Sequence, residues 1–269
     1  MAVEMAAKDL IMSAKGIRVE YHDRTTKEAF LALESFDLDV VEGEFVTIVG
    51  PSGCGKSTFL KVVNGLLRAT AGEIKLKASA KGRDDAMVFQ ESALFPWYSV
   101  LDNVAYGLVC AGMSKKDARE RAKPMIRLVG LEGFGDKYPY QLSGGMQQRA
   151  NLARALTVDP GLLLMDEPFA ALDAQTREVM QSELLRIWDQ AKKTVLFITH
   201  QIDEAVYLSD RVIVMSARPG RILADIRIDL PRPRDLHVKR TPPFVAYEEQ
   251  IWELIASQMK TSASQFGGG

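Results

Sequence analysis

Apolar positions along the chain first alternate, then recur at helical spacing, then gather in short continuous runs. Residues 16–21 and 36–41 have period-two character and 44–49 ends in a compact β-branched run, so each is expected as a strand, with 72–76 a fourth. Between them, 57–67 reads as a helix with Leu60, Val63 and Leu67 on one face. From about 91 to 159 the spacing is helical, punctuated by Gly112, Pro124, Gly130, Gly133, Gly135 and Pro139, which predicts an inserted helical subdomain. Residues 161–165, 194–198 and 211–215 are nearly continuous apolar runs, the pattern of parallel strands covered on both faces. Met180, Leu184, Ile187 and Ala191 line one side of a helix between the first two. Parallel strands joined by helices predict an α/β sheet. Residues 222–230 read as a further strand, and Pro231, Pro233, Pro242 and Pro243 then interrupt regular structure. A last helix is expected over 244–259, with Tyr247, Ile251, Leu254 and Ile255 on its buried side, and no ordered structure over the small, polar, glycine-ended 261–269.

Composition narrows the class. Of 269 residues 47% are hydrophobic and 26% charged, enough apolar material for a sizeable core. The balance of 34 Lys and Arg against 35 Asp and Glu leaves a net charge of −1, which argues against a nucleic-acid partner needing a basic face. Cys54 and Cys110 cannot form a disulfide framework, so a reducing compartment is expected. No run approaches the ~18 apolar residues of a membrane span. The first ten residues carry Glu4, Lys8 and Asp9 and lack the apolar stretch of a secretory leader. A soluble cytoplasmic protein with at most a peripheral membrane role is expected.

Three motifs carry chemistry. Gly50-Pro51-Ser52-Gly53-Cys54-Gly55-Lys56-Ser57 fits G-x-x-x-x-G-K-[ST] between an expected strand and helix. Glycines there let backbone N–H groups turn inward around a phosphate chain, the helix N-terminus adds partial positive charge, Lys56 reaches the β/γ-phosphates and the Ser57 hydroxyl can ligate Mg²⁺. Cys54 beside Lys56 has a setting that favours thiolate, or is simply a small residue filling a tight loop. The run 162–165 delivers Asp166 and Glu167 to the carboxyl end of a strand, Asp166 toward a metal's water shell and Glu167 toward an attacking water. Gln141-Leu142-Ser143-Gly144-Gly145-Met146-Gln147-Gln148 begins a helix with Ser143 as its N-cap, and local physics leaves open whether this is an anion site or a plain cap. His200 and Gln90 each follow an expected strand, whereas His22 and His237 read as surface residues.

In this order and spacing the motifs resemble the ATP-binding subunit of an ABC transporter, over 11–230. The stretch Leu142–Gln147 continued by Gln148-Arg149-Ala150 is the most specific part. Val88-Phe89-Gln90, Leu94-Phe95-Pro96-Trp97 and the tail Asp229-Leu230-Pro231-Arg232-Pro233-Arg234-Asp235 are similar to the nitrate/sulfonate/taurine importer group. The resemblance implies a P-loop NTPase with a RecA-like core, an N-terminal antiparallel β-subdomain and a helical subdomain inserted at about 91–159. A short extension over 231–260 and the tail 261–269 follow.

It also implies site roles. Two copies would face head to tail, each ATP lying between one copy's Gly50, Pro51, Ser52, Gly53, Cys54, Gly55, Lys56, Ser57 and Thr58 and the other's Ser143, Gly144 and Gly145. Tyr21 would stack on adenine, and Asp173, in Ala171-Leu172-Asp173, would cross the interface. Ser57, Gln90 and Asp166 would serve Mg²⁺, and Glu167 would act with Lys56, Gln90 and His200 in hydrolysis. The implied partners are a second copy, two transmembrane permease subunits and an extracytoplasmic solute-binding protein, with the chain peripheral on the cytoplasmic face of the inner membrane. The aromatic segment around Phe95, Trp97 and Tyr98 would be a docking groove for a membrane-subunit helix, or else subdomain core. An ATPase acting away from membranes is the alternative, opposed by the single phosphate loop and the lack of sustained heptads. An exporter's ATPase is another, opposed by the absence of a fused membrane segment. A non-hydrolysing module is opposed by Glu167 and His200.

Overall fold

The computed structural model describes residues 10–22, 28–77, 85–90, 93–170, 172–191 and 193–266. In chain order the elements are β1 (Leu10–His22), β2 (Ala29–Val41), β3 (Phe45–Val49), α1 (Lys56–Asn64), β4 (Ala71–Leu76) and β5 (Asp85–Val88). There follow α2 (Val100–Cys110), α3 (Lys115–Leu128), α4 (Gly144–Thr157), β6 (Leu162–Asp166) and α5 (Ala174–Ala191). The chain ends with β7 (Thr194–Ile198), α6 (Ile202–Leu208), β8 (Arg211–Met215), β9 (Ile222–Arg227) and α7 (Pro242–Phe266). They divide into two compact units, Met1–Arg83 with Thr194–Gly269, and Asp84–Lys193.

In the first unit, β1 pairs antiparallel with β2 on one side and β4 on the other. β1 starts well before the expected 16–21, because register shifts on either side of Ile17 break its alternation. Gly16 sits there at φ 60°, and a Cβ on Gly72 would fall 2.4 Å from the Gly16 carbonyl oxygen. The unit's other sheet is built on β3, parallel to β7 and β8, with β9 antiparallel to β8. All five residues of β3 and of β7 are buried, as their nearly continuous apolar runs require, and the buried Thr47 hydroxyl of β3 is paired with that of Ser209. α1 lays Phe59 against Phe36 of β2, ring centroids 4.3 Å apart.

In the second unit, β5 and β6 pair in parallel and α4 packs with α2, α3 and β5. This unit is wider than the helical stretch 91–159, since both strands and α5 share its core. Met180, Leu184 and Ile187 of α5 are buried, as their spacing predicts. α2, α3 and α4 each begin at a serine N-cap, Ser99, Ser114 and Ser143, whose hydroxyl accepts a backbone N–H of the first turn.

The last helix is longer than the spacing over 244–259 suggests. α7 continues through 261–266, where no glycine or proline interrupts it, and 267–269 lie outside the described residues.

Candidate nucleotide site

The phosphate loop lies in the first unit, between buried β3 and α1. Its glycines are required by close packing. A Cβ on Gly50 would lie 3.0 Å from Met215 Cβ, and one on Gly55 would lie 2.7 Å from Leu33 Cδ2. Gly53 and Gly55 also hold φ of 74° and 106°, the left-handed region. Gly55 is the N-cap of α1 and, lacking a side chain, makes no side-chain cap hydrogen bond to the first turn. With no acidic residue in that turn, the helix N-terminus is suited to an anion.

Lys56 is only 5% exposed. Its Nζ donates to the carbonyl oxygens of Gly50 at 2.9 Å and Pro51 at 3.2 Å, so the ammonium is curled beneath the loop. Ser52 and Gly53 are exposed, while Pro51, Ser57 and Thr58 are half-buried. Cys54 is buried, and that burial pushes its thiol up despite the nearby Lys56 charge. The thiolate-favouring reading is therefore corrected: desolvation outweighs the cation, and Cys54 fills the loop.

Tyr21 is 39% exposed, and its hydroxyl lies 3.3 Å from Thr58 Oγ1. Its ring stacks with Phe30 at 6.4 Å, and the Arg218 guanidinium lies 3.7 Å from the centre of the Phe30 ring. Arg218 Nη2 also donates to the Gly53 carbonyl at 3.2 Å. None of the sequence motifs includes Arg218. The available signal was the Arg218-Pro219-Gly220 turn, where a Cβ on Gly220 would come 2.1 Å from the Cys54 carbonyl oxygen. His200 is exposed just beyond β7, next to Thr199, whose Oγ1 accepts from the Gln201 N–H at 3.0 Å.

The second unit carries the other motif residues. Asp166 ends buried β6 and is 9% exposed. Glu167 is half-buried and adopts φ 44°, a left-handed conformation costly for a side chain and immediately ahead of Pro168. Such strain concentrates at functional positions. Arg177 braces the following turn, with Nη2 donating to the Leu172 carbonyl at 2.7 Å. Ala171 lies outside the described residues. The Asp173 carboxylate accepts the Thr176 N–H at 3.0 Å, and the hydrogen bonds from Thr176 hold its pKa below the usual aspartate value.

Ser143 and Gly144 are exposed at the start of α4. Ser143 Oγ accepts the Met146 N–H at 3.4 Å, nothing lies within 4 Å of a Cβ placed on Gly144, and one on Gly145 would meet Thr176 Cγ2 at 3.1 Å. Gln147 Nε2 donates to the Pro139 carbonyl at 3.0 Å, fixing the approach to the helix. Gln90 is exposed two residues beyond β5.

The aromatic segment is anchored by Asn103, which is fully buried. Its Oδ1 accepts the Phe95 N–H at 2.7 Å and its Nδ2 donates to the carbonyls of Phe95, Tyr98 and Ser99. Trp97 is 67% exposed, 5.5 Å from the Phe95 ring, so it is not core. Residues 91 and 92 lie outside the described residues.

A strand-loop-helix phosphate cradle with a buried lysine defines a P-loop nucleotide-binding protein. A family model described as ABC transporter matches residues 33–170. An uncharacterised ABC transporter ATP-binding protein of Methanocaldococcus jannaschii is 52% identical over 234 residues, 86% of each chain. The taurine import ATP-binding protein TauB of Rhizobium johnstonii is 46% identical over 234 residues, 84% of this chain and 89% of that one. Among solved structures, an ATP-binding cassette dimer in a post-hydrolysis state bound to ADP and Pi is similar with a TM-score of 0.70 and 32% identity, covering 82% of this chain and all of that one. The chain belongs to the ABC transporter family, as an ATP-binding subunit. Its activity is ATP hydrolysis.

Proposed function

We propose that this chain powers uptake of a small solute, hydrolysing MgATP between two copies of itself arranged head to tail. The observation that carries this reading is the N-terminus of α1, without a side-chain cap, behind a glycine loop with Lys56 folded beneath it. The import assignment rests on relatives named for import of taurine and, in Bacillus cereus, aliphatic sulfonates, the latter 46% identical over 205 residues. A sulfonate, taurine or similar small anion is the proposed cargo. Two membrane permease subunits and an extracytoplasmic solute-binding protein complete the assembly, which places this chain on the cytoplasmic face of the membrane. Among the described residues no helix is long and apolar enough to cross a bilayer.

Each residue then has a role. The loop N–H groups and Lys56 hold the β- and γ-phosphates, Thr58 and Tyr21 lie toward the nucleoside, and His200 binds the γ-phosphate. Gln90 and Glu167 orient and polarise the attacking water. Ser143, Gly144 and Gly145 serve the facing copy's nucleotide, and Asp173 links the two sites. Among the described residues no cluster of three or more His, Cys, Asp or Glu is placed to hold a metal by itself. The proposed Mg²⁺ donors are the Ser57 hydroxyl and the side-chain oxygens of Asp166 and Gln90, hard donors of the kind from which Mg²⁺ takes one or two, the rest coming from phosphates and water. When bound, Mg²⁺ neutralises phosphate charge that develops during transfer.

Trp97 and its neighbours form the proposed surface for a short helix of the membrane subunit. Co-purification tests the whole reading. The membrane subunits that accompany the chain, reconstituted with it, should show ATP turnover accelerated by a sulfonate or taurine-like solute. Turnover indifferent to any such solute would sink the import reading.

A further inference from the structure

The segment after β9 grips α6 at both ends. α6 begins two residues after His200 and ends at Leu208, and its C-cap Ser209 has an extended backbone (φ −96°, ψ 154°) that provides no left-handed cap for the last carbonyls. Two arginines take over that task. Arg232 Nη2 donates to the Leu208 carbonyl at 2.7 Å. Arg234 Nη1 donates to those of Val206, Tyr207 and Ser209 at 3.2, 3.0 and 2.8 Å. Arg234 Nη2 continues to Ile228 and Leu230, at 3.3 and 3.2 Å. Arg234 is 8% exposed, its guanidinium surrounded by carbonyl oxygens at the negative end of the helix dipole. Burial lowers its pKa to about 10, still charged at neutral pH.

At the other end, Lys239 Nζ lies 3.1 Å from Asp203 Oδ2 in the first turn of α6 and 5.0 Å from the centre of the Tyr207 ring. Asp210 extends the grip to the phosphate-loop strand: its Oδ1 accepts Arg232 Nε at 3.0 Å while its Oδ2 accepts the Phe45 N–H of β3 at 2.9 Å.

A helix of seven residues has little stability of its own. Its place, and that of the residues just ahead of it, is set by whatever packs against it. We propose that Arg232, Arg234 and Lys239 form a clamp that fixes α6 and thereby positions His200 for ATP turnover. They are positioning residues, and the inference rests on the reading of His200 as a γ-phosphate ligand.

The test uses the full-length chain with ¹⁵N-labelled histidine, His200 being assigned among the three histidines by its loss in His200→Ala. Arg234→Met and Lys239→Met are compared with Arg227→Met, which alters an exposed ion pair with Asp229 on the same segment. The clamp predicts a displaced or broadened His200 signal in the first two, with kcat reduced at least fivefold and KM for ATP within twofold, and neither change in Arg227→Met. A folded Arg234→Met or Lys239→Met chain with the wild-type His200 signal and kcat would overturn it. If Arg234→Met does not fold, Lys239→Met decides. The reading of His200 fails separately, if His200→Ala hydrolyses ATP at the wild-type rate; the His200 signal in the clamp variants still reports whether the segment positions that side chain.

Discussion

Lys56 Nζ donates to the Gly50 carbonyl oxygen at 2.9 Å, closing the phosphate loop on itself from below. With a second bond to Pro51, the ammonium is held beneath the loop by neutral oxygens. Lys56→Met removes the cation proposed to meet the β/γ-phosphates while keeping the side chain's bulk. ATP turnover should fall by about 10²–10³-fold, the usual cost of losing one charge-stabilising donor. The orphaned carbonyls should also cost about 1–3 kcal/mol in unfolding experiments. Steady-state hydrolysis and chemical denaturation check both, and turnover within threefold of wild type would remove this loop from the site.

Glu167 holds a left-handed backbone that few side chains favour. Glu167→Gly should therefore abolish turnover while leaving stability unchanged or raised by up to about 1 kcal/mol, since relief of backbone strain is offset by glycine's greater freedom when unfolded. Calorimetry with an ATPase assay tests this. A clearly destabilised Glu167→Gly chain would mean that the glutamate side chain holds the fold rather than storing strain.

Cys54 is buried with its thiol pushed up, whereas Cys110 is exposed. In the native protein at neutral pH a maleimide should label Cys110 quickly and Cys54 slowly, and both should react alike in denaturant. Mass spectrometry of the labelled peptides reads the rates. Faster native labelling of Cys54 would restore the activated-thiolate reading.

Trp97 projects into solvent from a turn that Asn103 holds rigid. Trp97→Ala should leave the Tm nearly unchanged, as for an exposed substitution, and should lose assembly with the membrane subunits. Unchanged assembly, transport and stimulation of hydrolysis would rule out docking at this surface.

Legibility from sequence followed the physics of each element. β7 and β8 were readable to the residue because strands buried on both faces need nearly continuous apolar runs, here entered through Thr194 and Arg211. The first half of β1 was hidden because its register shifts move side chains between faces. The phosphate loop was legible through its glycines, but the need for glycine at 220 arises from a backbone approach across 166 residues of chain. Arg232 and Arg234 stood out only as part of a proline-arginine tail. Their partners are main-chain carbonyls, which leave no mark in the identity of the residues that carry them. The conformation of Glu167 was likewise invisible, because strain at a functional position runs against local preference.

The central claim is that two copies close around nucleotide, and sedimentation of the hydrolysis-blocked Glu167→Gln chain tests it most directly. With MgATP the chain should sediment as a dimer, and with ADP as a monomer. A chain that stays monomeric at saturating MgATP, even alongside its membrane subunits, would contradict it.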